Sequence, residues 1–148
     1  MKLLVVFLLA ITLFAIGCSC DGDKEAKIPI NLEEASNVGS LQIEASYDAT
    51  VLQVVQVEAG DLSKNALIES NLDNPGIIII GIVDSSGISG SGSVVSITFD
   101  ILEKDSASSL TIKNATAHDV NTLVDLPTSL TQGNFAGGDV FPPTIRFE

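Results

Sequence analysis

Val94-Val95-Ser96-Ile97-Thr98-Phe99-Asp100-Ile101 decides the fold. Val95, Ile97, Phe99 and Ile101 alternate with Ser96, Thr98 and Asp100, so an extended chain buries one face and wets the other. The same period recurs upstream, where Leu41, Ile43, Ala45 and Tyr47 alternate with Ser40, Gln42, Glu44 and Ser46. One solvated face per strand is the signature of an antiparallel sheet. The β-branched run Ile77 to Ile80 reads instead as a strand buried on both faces. Further strands are expected at 28–32, 51–58, 110–113 and around 132–135.

The connections support this reading. Asn74-Pro75-Gly76 and Ser85-Ser86-Gly87 are turn signals, because Gly reaches positive φ without steric cost. Gly87 to Ser93 (GISGSGS) reads as a mobile loop. Asp61 to Ser70 (DLSKNALIES) has room for one or two helical turns, and no other window after the leader shows a helical face. Seven or more short strands separated by turns define an all-β chain, an antiparallel β-sandwich.

Length and charge bound the function. The 148 residues fit one domain. A net charge of −12 excludes nucleic acid as the expected partner, since phosphates are bound by Lys and Arg. One His and two clustered Cys leave little for a zinc site. The carboxylates lack calcium-loop spacing, so neither metal nor cofactor is expected, with a weak calcium site at the loop of Asp119 and Asn121 as the open alternative. His118 beside Asp119 suggests a general base, but no nucleophile lies near it in sequence. A non-enzymatic module is expected.

The N-terminus reads as an address. Leu3 to Ile16 is apolar apart from Thr12, too short for a membrane span of about 20 residues but suited to an export signal. Ala15-Ile16-Gly17-Cys18 resembles a lipobox, which implies cleavage after residue 17 and lipid attachment at Cys18. Residues 18–27 then form a polar tether, 28–138 the folded body and 139–148 a tail. Loss of Lys2 with the leader leaves 6 basic and 19 acidic residues. The expected location is the cell surface or periplasm, with the membrane reached through lipid.

Tyr47-Asp48-Ala49-Thr50-Val51-Leu52, followed by Val57 and Gly60-Asp61-Leu62, resembles the Tyr-Asp-x-x-Val-Leu…Gly signature of cohesin modules. Cohesins are the dockerin-binding β-sandwiches of cellulosomal scaffolds. Ile77 to Asp84, Gly92 to Ile101, Leu110 to Asn121 and Gly133 to Phe135 follow in the family's order. The resemblance implies a jelly-roll sandwich over 28–138 and a protein partner of dockerin type. It implies partner contacts at Ser40 and Gln42, on the strand before Tyr-Asp, and at Asp84, Ser85, Ser86 and Gly87. Where cohesins commonly carry Asn and Asp at the two strand positions, Ser40 and Gln42 are weaker hydrogen-bonding groups. Tyr47, Asp48, Val51, Leu52 and Gly60 are fold residues: Asp48 starts a turn by bonding the backbone two residues on.

Two departures from the family stand out. The tether replaces an opening strand, and the chain continues past Gly138. Ile145 and Phe147 share one face of Thr144 to Glu148, so this tail can pair with an edge the missing strand leaves open. Among other functions, glycan binding ranks below protein binding, because Trp is absent and no aromatic strip is present. A structural subunit pairing through an open sheet edge is a further alternative.

Overall fold

The computed structural model describes residues 24–148; the stretch read as an export signal and Cys18 lie outside them. The strands are β1 (Glu25–Ser46), β2 (Leu52–Ala59), β3 (Leu67–Asn71), β4 (Ile77–Ile101), β5 (Ala107–Asp119), β6 (Asp125–Leu126), β7 (Thr128–Thr131), β8 (Gly133–Ala136), β9 (Asp139–Phe141) and β10 (Thr144–Phe147). The only helical element among the described residues is a 3₁₀ turn at Asp61–Ser63. The stretch expected to hold helical turns thus becomes that turn followed by β3, whose residues pair with Ile79 to Val83 of β4.

Two long strands make the sandwich. β1 and β4 run antiparallel through most of their length, from Glu25 opposite Asp100 to Ser46 opposite Ile77. Their register slips repeatedly between residues 30 and 40 of β1. Bulges of this kind let a strand turn a corner and pass from one sheet to the other. The first half of β1 pairs with the end of β4, whose other edge carries β2. The second half lies between the start of β4 and β5, and β3 adds to the outer edge of β4.

The expected mobile loop at 87–93 lies in this corner, and it is stitched rather than loose. Ser89 and Ser91 hydroxyls accept the N–H groups of Asn37 and Glu34 at 2.9 and 3.1 Å, and Ser93 accepts that of Asp61 at 2.9 Å. Bulges orphan amides that the ladder would otherwise satisfy; Ser89 and Ser91 answer two of them in β1, and Ser93 answers the first amide of the 3₁₀ turn.

The inward rows form one core. Ile28, Ile30, Leu32, Ile43, Ile78, Ile80, Val95, Ile97 and Phe99 are fully buried. Each contributes about 1.5–3 kcal/mol by leaving water. Buried Tyr47 meets Phe99 edge to face, with ring centroids 5.2 Å apart. Asp48 then turns the chain: its Oδ1 accepts the Thr50 N–H at 2.9 Å and its carbonyl accepts those of Val51 and Leu52. The Thr50 hydroxyl, followed by its amide, holds the Asp48 carboxyl below its ordinary value. Val51 and Leu52 are buried directly after the turn.

Gly60 is required by close approach. Its N–H donates to the Val94 carbonyl, and a Cβ there would fall inside the Ser93 carbonyl group. Gly60→Ala is expected to cost about 1–3 kcal/mol, because backbone rather than a flexible side chain must yield. Urea denaturation measures it.

Two boundaries move. β1 opens at Glu25 with Ala26 already buried, so the last three residues assigned to the tether belong to the sheet. The tail is part of the fold: β10 lies parallel to β1, with Leu32 opposite Ile145, and antiparallel to β7.

Candidate functional site

The outer face of the second sheet is a grid set by register. One row runs Leu67, Val83, Ser40, His118 and Asp125 across β3, β4, β1, β5 and β6. The next holds Glu69, Gly81, Gln42 and Thr116; the third holds Asn71, Ile79, Glu44 and Asn114. Strand residues two apart share a face, so these rows stand on one wall.

The wall is apolar on one side and polar on the other. Leu67 is 64% exposed and Val83 54%, and Ile77 and Ile79 also face outward. This corrects the reading of Ile77 to Ile80 as buried on both faces: Ile78 and Ile80 point inward, while Ile77 and Ile79 do not. A run of one residue type hides its own alternation. Carboxylates stand at Glu44, Glu69 and Asp125, and none of these grid positions is Lys or Arg. Lys113 lies just beyond, where the β5 register slips opposite Glu44 and Ala45.

Gly81 lies between Glu69 and Gln42, and a Cβ on it would meet nothing within 4 Å. The missing side chain opens a trough of about 470 Å³, lined among others by Gln42, Glu69, Ile79, Val83 and Thr116. A Gly inside a strand often marks a place where another group approaches the backbone. That signal is carried by the sequence itself, as a lone Gly inside an apolar strand.

The six residues singled out from the sequence divide between wall and corner. Ser40 and Gln42 stand on the wall as expected. Asp84 does not: it is buried, and its Oδ1 accepts the Ser86 N–H at 2.7 Å, so it builds the turn. Ser85 and Ser86 are exposed at the end of the wall. Gly87 takes φ +79° and packs tightly against Asn37 and Val120. A second trough of about 220 Å³ joins Ser40 and Val83 to Ser85 and Leu123, so wall and turn are continuous.

His118 is held on both nitrogens. Its Nδ1 lies 3.1 Å from Ser40 Oγ and its Nε2 3.0 Å from Asp125 Oδ1. Its sequence neighbour Asp119 turns to its own loop, where it accepts the amides of Thr122 and Asn121, each at 2.8 Å. Those two amides, that of Thr122 first, hold the Asp119 carboxyl below its ordinary value. The loop presents Leu123 at φ +58° and 75% exposed. Neither Leu123 nor His118 is assigned to a binding surface from the sequence; the hairpin of β5 and β6 sets Asp125 opposite His118 and puts Leu123 in its turn.

The lowered carboxyls of Asp48 and Asp119 fix the sign of an acid effect. A group whose folded value is depressed stabilises above its unfolded value, and that stabilisation fades as pH falls through the folded value. Urea midpoints are therefore expected to be flat above about pH 5 and to drop below about pH 4. Asp48→Ala and Asp119→Ala each reduce that drop.

Among the described residues no group of His, Cys, Asp and Glu is arranged to hold a metal ion. No described helix is long and apolar enough to cross a membrane. What fold and face define is a β-sandwich with a broad wall for contact. Comparison places it: the cohesin domain model matches residues 22–136, and the chain belongs to the cohesin family. A cohesin domain is a non-catalytic protein-binding module with a jelly-roll sandwich, found outside the cell or at its surface.

Solved structures agree in fold. A non-cellulosomal cohesin from Archaeoglobus fulgidus is 25% identical with a TM-score of 0.61, over 84% of this chain and 80% of that one. The sixth cohesin of scaffoldin B from Acetivibrio cellulolyticus, in complex with a dockerin mutant, is 22% identical with a TM-score of 0.68. The match covers 76% and 88% of the two chains. A type I cohesin–dockerin complex from Clostridium thermocellum gives 14% identity and a TM-score of 0.60, over 83% and 87%. Among the curated proteins compared, none matches.

Proposed function

We propose that this chain is a docking module that binds a dockerin-type protein through the wall around Gln42 and Gly81. The observation that carries the proposal is the exposed apolar strip of Leu67, Val83 and Ile79 beside the trough floored by Gly81. Large apolar side chains left in water on one continuous sheet face mark a contact surface. Cohesins solved with dockerins share the fold, which supports the choice of partner. The carboxylates at Glu44, Glu69 and Asp125 favour a partner rich in Lys, Arg and other donors. Ser40, Gln42, Ser85 and Ser86 supply the polar contacts, while Asp84 and Gly87 hold the turn that positions the serines.

Calorimetric titration of the chain against a panel of calcium-loaded dockerin modules tests this. Saturable one-to-one binding by at least one of them is expected. Val83→Asp with Gln42→Ala should weaken it at least tenfold while leaving the melting temperature within a few degrees. Binding that survives the double variant places the contact elsewhere.

Cys18 is proposed as the lipid attachment point, supported by the residues 15–18 that precede and include it. Labelling with radioactive palmitate in a bacterial host, lost in Cys18→Ser, is the expected result. The acidic domain adds no attraction to anionic lipid, so the acyl chain alone would hold it at the surface.

A further inference from the structure

The chain has one histidine, and it stands on the docking wall. Asp125 can only accept a hydrogen bond when ionised, so Nε2 of neutral His118 carries the proton and donates it at 3.0 Å. Nδ1 is then the acceptor, and the Ser40 hydroxyl donates to it at 3.1 Å. The Ser40 oxygen faces a partner with lone pairs only. Protonation of the imidazole puts a second N–H at Nδ1, which must donate to Ser40 Oγ. The Ser40 O–H keeps its proton and rotates it outward, and the wall gains the positive charge of the imidazolium.

We propose that the Ser40–His118–Asp125 chain sets the polarity of the docking wall, so that acidification turns Ser40 from acceptor into donor and weakens a cationic partner. The inference rests on the docking reading above and deepens it. Its charged surroundings are simple. Asp125 faces His118 from β6, and Glu69 of β3 lies across the same trough. β1 and β4 present Ser40, Gln42, Gly81 and Val83 beside it, all uncharged. Asp119 on β5 is committed to its own loop. The residue types match those of a hydrolytic triad, but here they sit on an open protein-binding face.

Two measurements test the proposal on separate grounds. Long-range ¹H–¹⁵N spectra of the free protein, where one histidine gives one set of signals, report the tautomer. The Nε2–H form is expected near pH 8, relaxing toward a mixture in Asp125→Asn. A dominant Nδ1–H form in the wild type overturns the proposal whether or not any dockerin binds. The second measurement uses whichever dockerin of the panel binds at pH 7.5. Its affinity is expected to fall about tenfold by pH 5.5, and His118→Gln should flatten that dependence. An equal fall in His118→Gln assigns the effect to the dockerin and overturns the proposal. Absence of binding at pH 7.5 by every dockerin defeats the docking reading and the regulatory role with it, while the tautomer remains measurable.

Discussion

Phe147→Ala is expected to destabilise the domain by about 3–5 kcal/mol, and Ile145→Ala by about 2–5 kcal/mol. Both side chains are buried in the common core from a strand only four residues long. The ladder adds to the packing loss. β10 lies between β1 and β7, so loosening it frees both the Asn31–Glu33 edge and the Thr128–Thr131 strand. For a domain of about this size Phe147→Ala should lower the melting temperature by roughly 10–20 °C. Total stability of a natural domain is about 5–15 kcal/mol, so deletion of residues 141–148 should leave little folded protein at 37 °C.

A control separates packing from charge. Arg146 bonds Glu34 through Nε at 3.0 Å and Nη2 at 2.9 Å, but both contacts reach one oxygen and both side chains are more than half exposed. Arg146→Ala is expected to cost less than about 1 kcal/mol. If the truncated chain melts with the intact one, β10 is not part of the cooperative unit.

This tail shows what a sequence can disclose. The spacing of Ile145 and Phe147 announced a strand, and the strand is there. The Asp48 turn was equally legible, because an Asp followed two residues later by Thr offers a carboxylate to that amide. What stayed hidden depended on register. His118 and Asp119 are adjacent in sequence yet serve different structures, and only the pairing of β5 with β6 brings Asp125 to the imidazole. The serines at 89, 91 and 93 read as a flexible linker because composition cannot show which amides a bulge or the start of a turn will orphan. Asp84 looked available for a partner because its burial follows from the corner, which two long strands create together.

Gly81→Tyr is expected to abolish docking while leaving the fold intact, lowering dockerin affinity by at least about a hundredfold, close to 3 kcal/mol. Gly81 lies in a regular part of the ladder, opposite Gln42 on one side and Glu69 on the other. Its added Cβ meets nothing within 4 Å, so the substitution creates no clash inside the domain. Tyr suits a strand far better than Gly, and the melting temperature should hold or rise. The ring would fill the trough and lift any partner off Val83 and Ile79. Filling a contact surface with a rigid side chain forces the partner to lose its closest packing along with the hydrogen bonds at Gln42. Gly81→Ala adds one methyl group to the same place and should cost under tenfold. A graded loss from Ala to Tyr, with thermal stability unchanged, assigns the floor of the trough to the interface. Unchanged affinity in Gly81→Tyr would move the interface off this sheet altogether.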